Sequence, residues 1–218
     1  MNGINHRLLR TAMLAALASL SSPLLHADQW TEPTKEELSM TLQPEVPGAA
    51  AVYLNREEIT EDKLHFWSVY TRLKVLTEKG KEYANVELNY RSSNSGGGYT
   101  VNNIVGRTIH PDGTIIPFTG KPYEKLIEKT QGYEGSKYMA KVFTMPDVEV
   151  GSIIEYRYTL RYDDYYFMSP DWYIQSELYT RKAHYQWKPT SEQLVSKRGG
   201  REQLTNSIAW FPVLPAGT

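Results

Sequence analysis

A hydrolytic triad needs a hydroxyl or thiol nucleophile, a histidine and a carboxylate within reach of one another. The chain has 218 residues and no cysteine. Thiol catalysis, disulfides and cysteine-ligated zinc are therefore excluded. Beyond the N-terminal segment only His65, His110 and His184 remain. His65 lies in a β-prone run, His110 beside a turn and His184 near an aromatic strand, and each reads as structural. No pair of histidines has the His-x-His or His-Glu-x-x-His spacing of a zinc site. Asp163-Asp164 could offer oxygen ligands to calcium, but no Asp-x-Asp-x-Asp loop or distal glutamate accompanies them, and a solvated turn is the better reading. Gly96 to Gly98 lacks the lysine and hydroxyl of a phosphate-binding loop. Glu124, Glu128 and Glu134 could flank a glycosidic bond, yet charges on a short surface helix explain them more simply. Lys197, Arg198 and Arg201 around Gly199-Gly200 read as a solvated hairpin tip. No catalytic residue, metal site or cofactor follows from these patterns.

Binding chemistry is better represented. The segment from Tyr162 to Tyr173 interleaves aromatic residues with carboxylates. Asp163, Asp164, Tyr165, Tyr166, Trp172 and Tyr173 are its candidate binding residues. Such a surface can stack on sugar rings while accepting hydrogen bonds from hydroxyls, or anchor a protein partner. In the competing reading, alternate aromatics fill a core while the others cap its edge.

The elements that would position these residues are strands. In Asp62 to Leu76, Trp67, Val69, Thr71, Leu73 and Val75 share one parity, which predicts a strand with one buried face. Ala50 to Asn55 is a shorter β-prone run, and Tyr83 to Tyr90 fits either a strand or a short helix. Thr108-Ile109-His110 and Thr114-Ile115-Ile116 flank Pro111-Asp112-Gly113, the composition of a hairpin turn. After Gly151, Ile154, Tyr156, Tyr158, Leu160 and Tyr162 alternate with Glu155, Arg157, Thr159 and Arg161, predicting a core-facing first set. Trp172, Ile174, Ser176 and Leu178 alternate likewise, and Ala183, Tyr185 and Trp187 continue after a bend. Lys121 to Gln131 is the best helical candidate. The expected fold is all-β with minor helix, an antiparallel sandwich or strongly curved sheet. The apolar run from Ile208 to Pro215 suggests a sheet awaiting its next strand, hence a fragment.

Lys+Arg 24 against Asp+Glu 25 leaves a formal charge of -1, with no basic field for a nucleic acid backbone. At the N-terminus, Arg7 and Arg10 precede an apolar stretch from Thr11 to Leu20, and Leu25-His26-Ala27 provides a small residue for cleavage. Residues 1–27 therefore read as a signal peptide, too short in its apolar part to span a bilayer. Export to the periplasm or exterior is expected, with no membrane span after cleavage. Residues 28–48, with Pro33, Pro44 and Pro47, form an extended lead-in in which Thr34-Lys35-Glu36-Glu37 could start a helical turn. Residues 49–218 are the expected domain.

Three segments in order carry a family resemblance. They are Thr108 to Gly113, Phe143 to Tyr156 and Pro170 to Gln175. The chain from about Ala49 resembles the uncharacterised exported bacterial domain found N-terminal to transglutaminase-like domains. The resemblance implies a non-catalytic, sandwich-like β domain, with papain-like chemistry residing in the following domain. Two classes of function stand: a module that docks with that transglutaminase-like domain or an envelope protein, and a carbohydrate-binding or carbohydrate-processing sandwich using the Tyr162 to Tyr173 segment.

Overall fold

The computed structural model describes residues 30–93, 98–129, 136–162, 172–173, 176–188, 195–198 and 201–204. The segment 1–27 read as a signal peptide, Asp163 to Tyr166 and the run from Ile208 to Pro215 lie outside these residues. Trp30 to Glu32 have no regular secondary structure, and a compact unit begins at Pro33.

The lead-in forms helix α1 (Lys35–Ser39) because Thr34 and Glu37 build a capping box. The Thr34 hydroxyl accepts from the Glu37 N–H at 3.1 Å, while the Thr34 N–H donates to the Glu37 carboxylate at 2.8 Å. Strand β1 (Ala51–Glu61) extends beyond the predicted short run. The long run that follows is interrupted by a 3-10 turn (Asp62–Leu64), which ends at His65 in the left-handed region, φ 52°. Strand β2 (Phe66–Val75) begins after it. Between Lys79 and Ala84 the chain makes a second 3-10 turn and then enters β3 (Asn85–Ser93), so Tyr83 to Tyr90 contains both alternatives in succession.

Strands β4 (Tyr99–Ile109) and β5 (Ile115–Pro117) form the predicted hairpin, with Ile109 opposite Ile115 and Gly113 at φ 89° where a side chain would be strained. Lys121 to Gln131 is not a helix. Its described part forms β6 (Tyr123–Lys129), paired antiparallel to β7 (Ser136–Thr144). Cross-strand pairing with β7 supplies what a seven-residue isolated helix lacks, which is satisfaction of its backbone groups by a neighbour.

Strands β8 (Ile153–Tyr162) and β9 (Ala183–Lys188) complete a six-stranded sheet ordered β5-β4-β8-β2-β1-β9. A three-stranded sheet is ordered β3-β7-β6, and β10 (Val195–Arg198) pairs antiparallel with β11 (Arg201–Leu204), while Gly199 and Gly200 lie outside the described residues. The large sheet is mixed rather than wholly antiparallel: β1 and β9 run parallel, Glu58 opposite Tyr185. The predicted strand from Trp172 to Leu178 does not form at its described positions, where Trp172, Tyr173 and 176–179 lie outside strands. Instead the chain follows β1, with the Tyr53 N–H donating to the Tyr179 carbonyl at 2.9 Å and the Arg181 N–H donating to Tyr53 at 2.9 Å.

The two larger sheets share one core. Val69, Leu73, Ile154 and Leu160 from the large sheet meet Val86, Leu88, Tyr90 and Phe143 from the small one. Each such side chain, once fully buried, contributes about 1.5–3 kcal/mol. Phe143 meets Tyr156 edge-on with centroids 6.0 Å apart. The predicted inward parity of β8 is therefore correct, with Tyr156 and Tyr158 half-buried against this core.

The expectation of one buried face fails for β2 and β8. Arg72, Lys74 and Glu155, on the other parity, are also buried. The lead-in covers that second face, where Leu38, Met40, Val46 and Ala49 pack on Val52, Leu54, Leu76, Ile109 and Ile153. A strand read in isolation cannot reveal a cover supplied from elsewhere in the chain.

Candidate functional site

Trp172 and Tyr173 are the two sequence-selected binding residues that fall within the described chain. They lie beside the β1–β9 end of the large sheet. The Trp172 ring stacks on Tyr185 of β9 with centroids 5.5 Å apart and planes 24° from parallel. The Tyr173 carbonyl accepts from Arg56 Nη1 at 3.3 Å, while the Tyr173 residue is 77% exposed. Register explains the meeting: Arg56 and Glu58 of β1 stand opposite Ala183 and Tyr185 of β9, so the strand pairing fixes which side chains underlie the Trp172 segment.

Arg56 also lies over the Tyr53 ring, 5.1 Å from its centroid, and 3.7 Å from the Glu58 carboxylate. Glu58 is only 7% exposed. Burial raises its pKa, while Arg56 and the nearby indole N–H groups of Trp172 and Trp67 oppose that rise. The indole nitrogens of Trp67 and Trp172 and one Glu58 oxygen are buried without completed hydrogen-bond geometry. Thr60 and the Tyr185 hydroxyl approach to 3.4 Å, and the Trp187 indole donates to Asp62 at 2.9 Å. The result is an aromatic ridge with one arginine and one enclosed carboxylate, able to present flat apolar faces and the projecting Tyr173 ring. Trp172 and Tyr173 were legible as aromatic residues beside acids. Arg56 and Glu58 were not, because more than a hundred residues separate them from Trp172 in sequence.

A second polar cluster occupies the opposite face of the sheet. Glu155 is fully buried and bridges two arginines: Arg107 Nε donates to Oε2 at 2.6 Å, and Arg72 Nε donates to Oε1 at 2.7 Å. The Tyr70 hydroxyl also donates to Glu155, and burial, reinforced by that carboxylate, raises the tyrosine pKa. Arg72 reaches on to Glu37 of α1 at 3.1 Å. Lys74, wholly buried, donates to the carbonyls of Leu38 at 2.8 Å and Gly151 at 2.5 Å. Burial lowers the Lys74 pKa to about 8. These groups fasten the lead-in to the sheet. Sequence reading set Glu155 only on the parity opposite the core-facing set; strand register places it beside both Arg72 and Arg107.

The three histidines are likewise held by neighbours. His65 stacks on Tyr162 with centroids 5.3 Å apart. His110 Nε2 donates to the Asp147 carbonyl at 2.8 Å, and His184 Nδ1 lies 3.0 Å from Glu57. Glu124 is held by Lys141 at 2.8 Å and by the Tyr90 hydroxyl at 2.9 Å, on an edge strand rather than the expected helix. Among the described residues no group of three or more histidine, cysteine, aspartate or glutamate side chains is arranged to hold a metal ion.

The two sheets and their shared core define an all-β, sandwich-type module with minor helix. Residues 62–206 match DUF3857, a domain of unknown function with a solved structure, and the chain belongs to that family. No curated protein matches it. Among solved structures, a "putative protease" from Parabacteroides distasonis is similar over 52% of this chain at 20% identity, with a TM-score of 0.42. The chain spans 23% of that protein's length. A family 3a carbohydrate binding module from the scaffolding of Clostridium thermocellum is similar over 54% of this chain and 77% of its own, at 9% identity and a TM-score of 0.32.

Proposed function

We propose that this chain is an exported, non-catalytic β-sandwich module that docks with a neighbouring transglutaminase-like domain or an envelope protein. The observation that carries the reading is Tyr173. Its ring projects into solvent while its own carbonyl is tied to Arg56 and its neighbour Trp172 is stacked on Tyr185. An exposed aromatic on a braced backbone loses little entropy on binding and suits the anchor of a protein interface. The acid and base groups described here support the non-catalytic part. Glu155, Lys74, His110 and His184 are each engaged in contacts that hold strands or the lead-in together.

The test is calorimetric titration of the purified chain with a separately expressed transglutaminase-like domain. Binding should occur, and Tyr173→Ala should weaken it by about tenfold or more, the range of an interface anchor. Unchanged affinity in that variant, or no binding, would defeat the reading. A carbohydrate-binding function is favoured instead if soluble glycans shift tryptophan fluorescence through Trp172, which lies on the same ridge.

A further inference from the structure

Three polar atoms meet beside the Trp172 ring. They are Oε2 of Glu58 and the indole nitrogens of Trp67 and Trp172, all buried and none with completed hydrogen-bond geometry. Strand register brings the set together. Glu58 of β1 stands opposite Val69 of β2 and Tyr185 of β9, and Thr60, on the same face of β1, stands opposite Trp67. Trp172 then stacks on Tyr185 and completes the cluster from outside the strands.

An enclosed carboxylate is stable as an anion when its oxygens are neutralised and hydrogen-bonded. Glu58 is not furnished that way. Arg56, the cation beside it, stands 3.7 Å from Oε1, beyond hydrogen-bond distance, and divides itself between the Tyr53 ring and the Tyr173 carbonyl. Among the described residues, the other ionisable groups facing Glu58 from the packed strands are the phenols of Tyr158 on β8 and Tyr185 on β9, which bring no positive charge. Further along the chain, Glu177 is directed to Tyr83 and Tyr53 instead. Burial therefore outweighs the arginine and the two indoles, and the Glu58 carboxyl keeps its proton to higher pH than the ordinary 4.5.

We infer that Glu58 is a proton-operated catch for Trp172: protonated, it lets the indole seat on the sheet; ionised, it loosens the seat. With Trp172 lifted, water reaches the carboxylate and its pKa returns to the ordinary range, so the seated form binds the extra proton. Seating is favoured as pH falls through the raised value toward 4.5 and weakened as pH rises through it. Arg56 holds the Tyr173 backbone beside the same carboxylate, so the catch also sets how firmly the Tyr173 ring is presented. That consequence rests on the docking function; the catch itself does not.

The full chain labelled with 5-fluorotryptophan reads the catch without any partner. Trp172→Phe identifies the Trp172 fluorine resonance. Its shift between light and heavy water, a measure of solvent contact, should grow as pH is raised from about 4 to about 8, with a midpoint above 4.5. In Glu58→Gln, whose amide cannot ionise, the Trp172 signal should stay protected throughout that range. Glu177→Gln should leave the wild-type midpoint in place. Solvent contact of Trp172 that ignores pH in the wild type, or the same titration in Glu58→Gln, overturns the inference, and so does a midpoint lost in Glu177→Gln. Should Glu58→Gln not fold, the wild-type profile and Glu177→Gln still decide.

Titration with the transglutaminase-like domain separates the catch from the docking function. Affinity should rise several-fold from about pH 7.5 to about pH 5. Binding that ignores pH while Trp172 titrates would deny the catch its effect on Tyr173. No binding at either pH, with the Trp172 titration intact, would defeat the docking function and leave the catch standing.

Discussion

Arg107 and Glu155 face each other across β4 and β8, and a 2.6 Å hydrogen bond joins the guanidinium Nε to the carboxylate on a face that the lead-in has sealed from water. Arg72 grips the other oxygen of the same carboxylate and continues to Glu37. One fully buried anion thus links three strands and the N-terminal helix.

Glu155→Ala should be among the most damaging single substitutions. It removes the carboxylate that Arg72 and Arg107 share in a buried site, and breaking a buried ion pair by deleting one partner costs about 3–5 kcal/mol in comparable sites. Urea denaturation measures it.

Lys74 sets a pH dependence. Its folded-state pKa is about 8, against an ordinary value of 10.5, so between those limits the unfolded chain binds more protons than the folded one. Stability from this residue therefore rises with pH across that window, by up to about 1.4 kcal/mol per unit. Tyr156 and Tyr158, raised by burial, act oppositely above pH 10. Comparing urea midpoints of the wild type and Lys74→Met at each pH isolates the lysine: their difference should shift in favour of the wild type from pH 8 to 10.

Gly80 approaches the Ala50 carbonyl so closely that an added Cβ would stand 2.1 Å from the oxygen. The Ala50 carbonyl is backbone and cannot swing aside, so Gly80→Ala should lower the melting temperature by several degrees, whereas Gly48→Ala meets no atom within 4 Å and is limited to the strain of its φ of 83°.

On the core face, Tyr158→Asp should prevent folding because it places a carboxylate among the side chains of both sheets, while Arg157→Ala should change stability far less. Thermal melts separate the two outcomes, and equal effects would contradict the assignment of faces in β8.

Export predicts a mature N-terminus at Asp28. Intact-mass measurement of the protein recovered from a periplasmic fraction reads it directly; a retained Met1 on soluble mature protein would refute cleavage after Ala27.

The period-two pattern of β8 was enough to place Ile154, Tyr156, Tyr158 and Leu160 on one face, because strand geometry alone dictates that alternation. The Pro111-Asp112-Gly113 turn and the Thr34 cap were likewise readable, since both act within four residues. Tertiary structure decided the rest. Whether Glu155 met water or two arginines depended on strand register and on a lead-in folding over the sheet, and neither is encoded within β8 itself. The segment from Tyr123 to Lys129 has residues compatible with a helix, but pairing with β7 supplied hydrogen-bond partners that outweighed local preference. Trp172 and Tyr173 could be picked out from sequence as candidate binding aromatics beside carboxylates. Their placement against Arg56 and Tyr185 required β9 to lie parallel to β1, a pairing between distant segments that only the closing of the whole sheet can select.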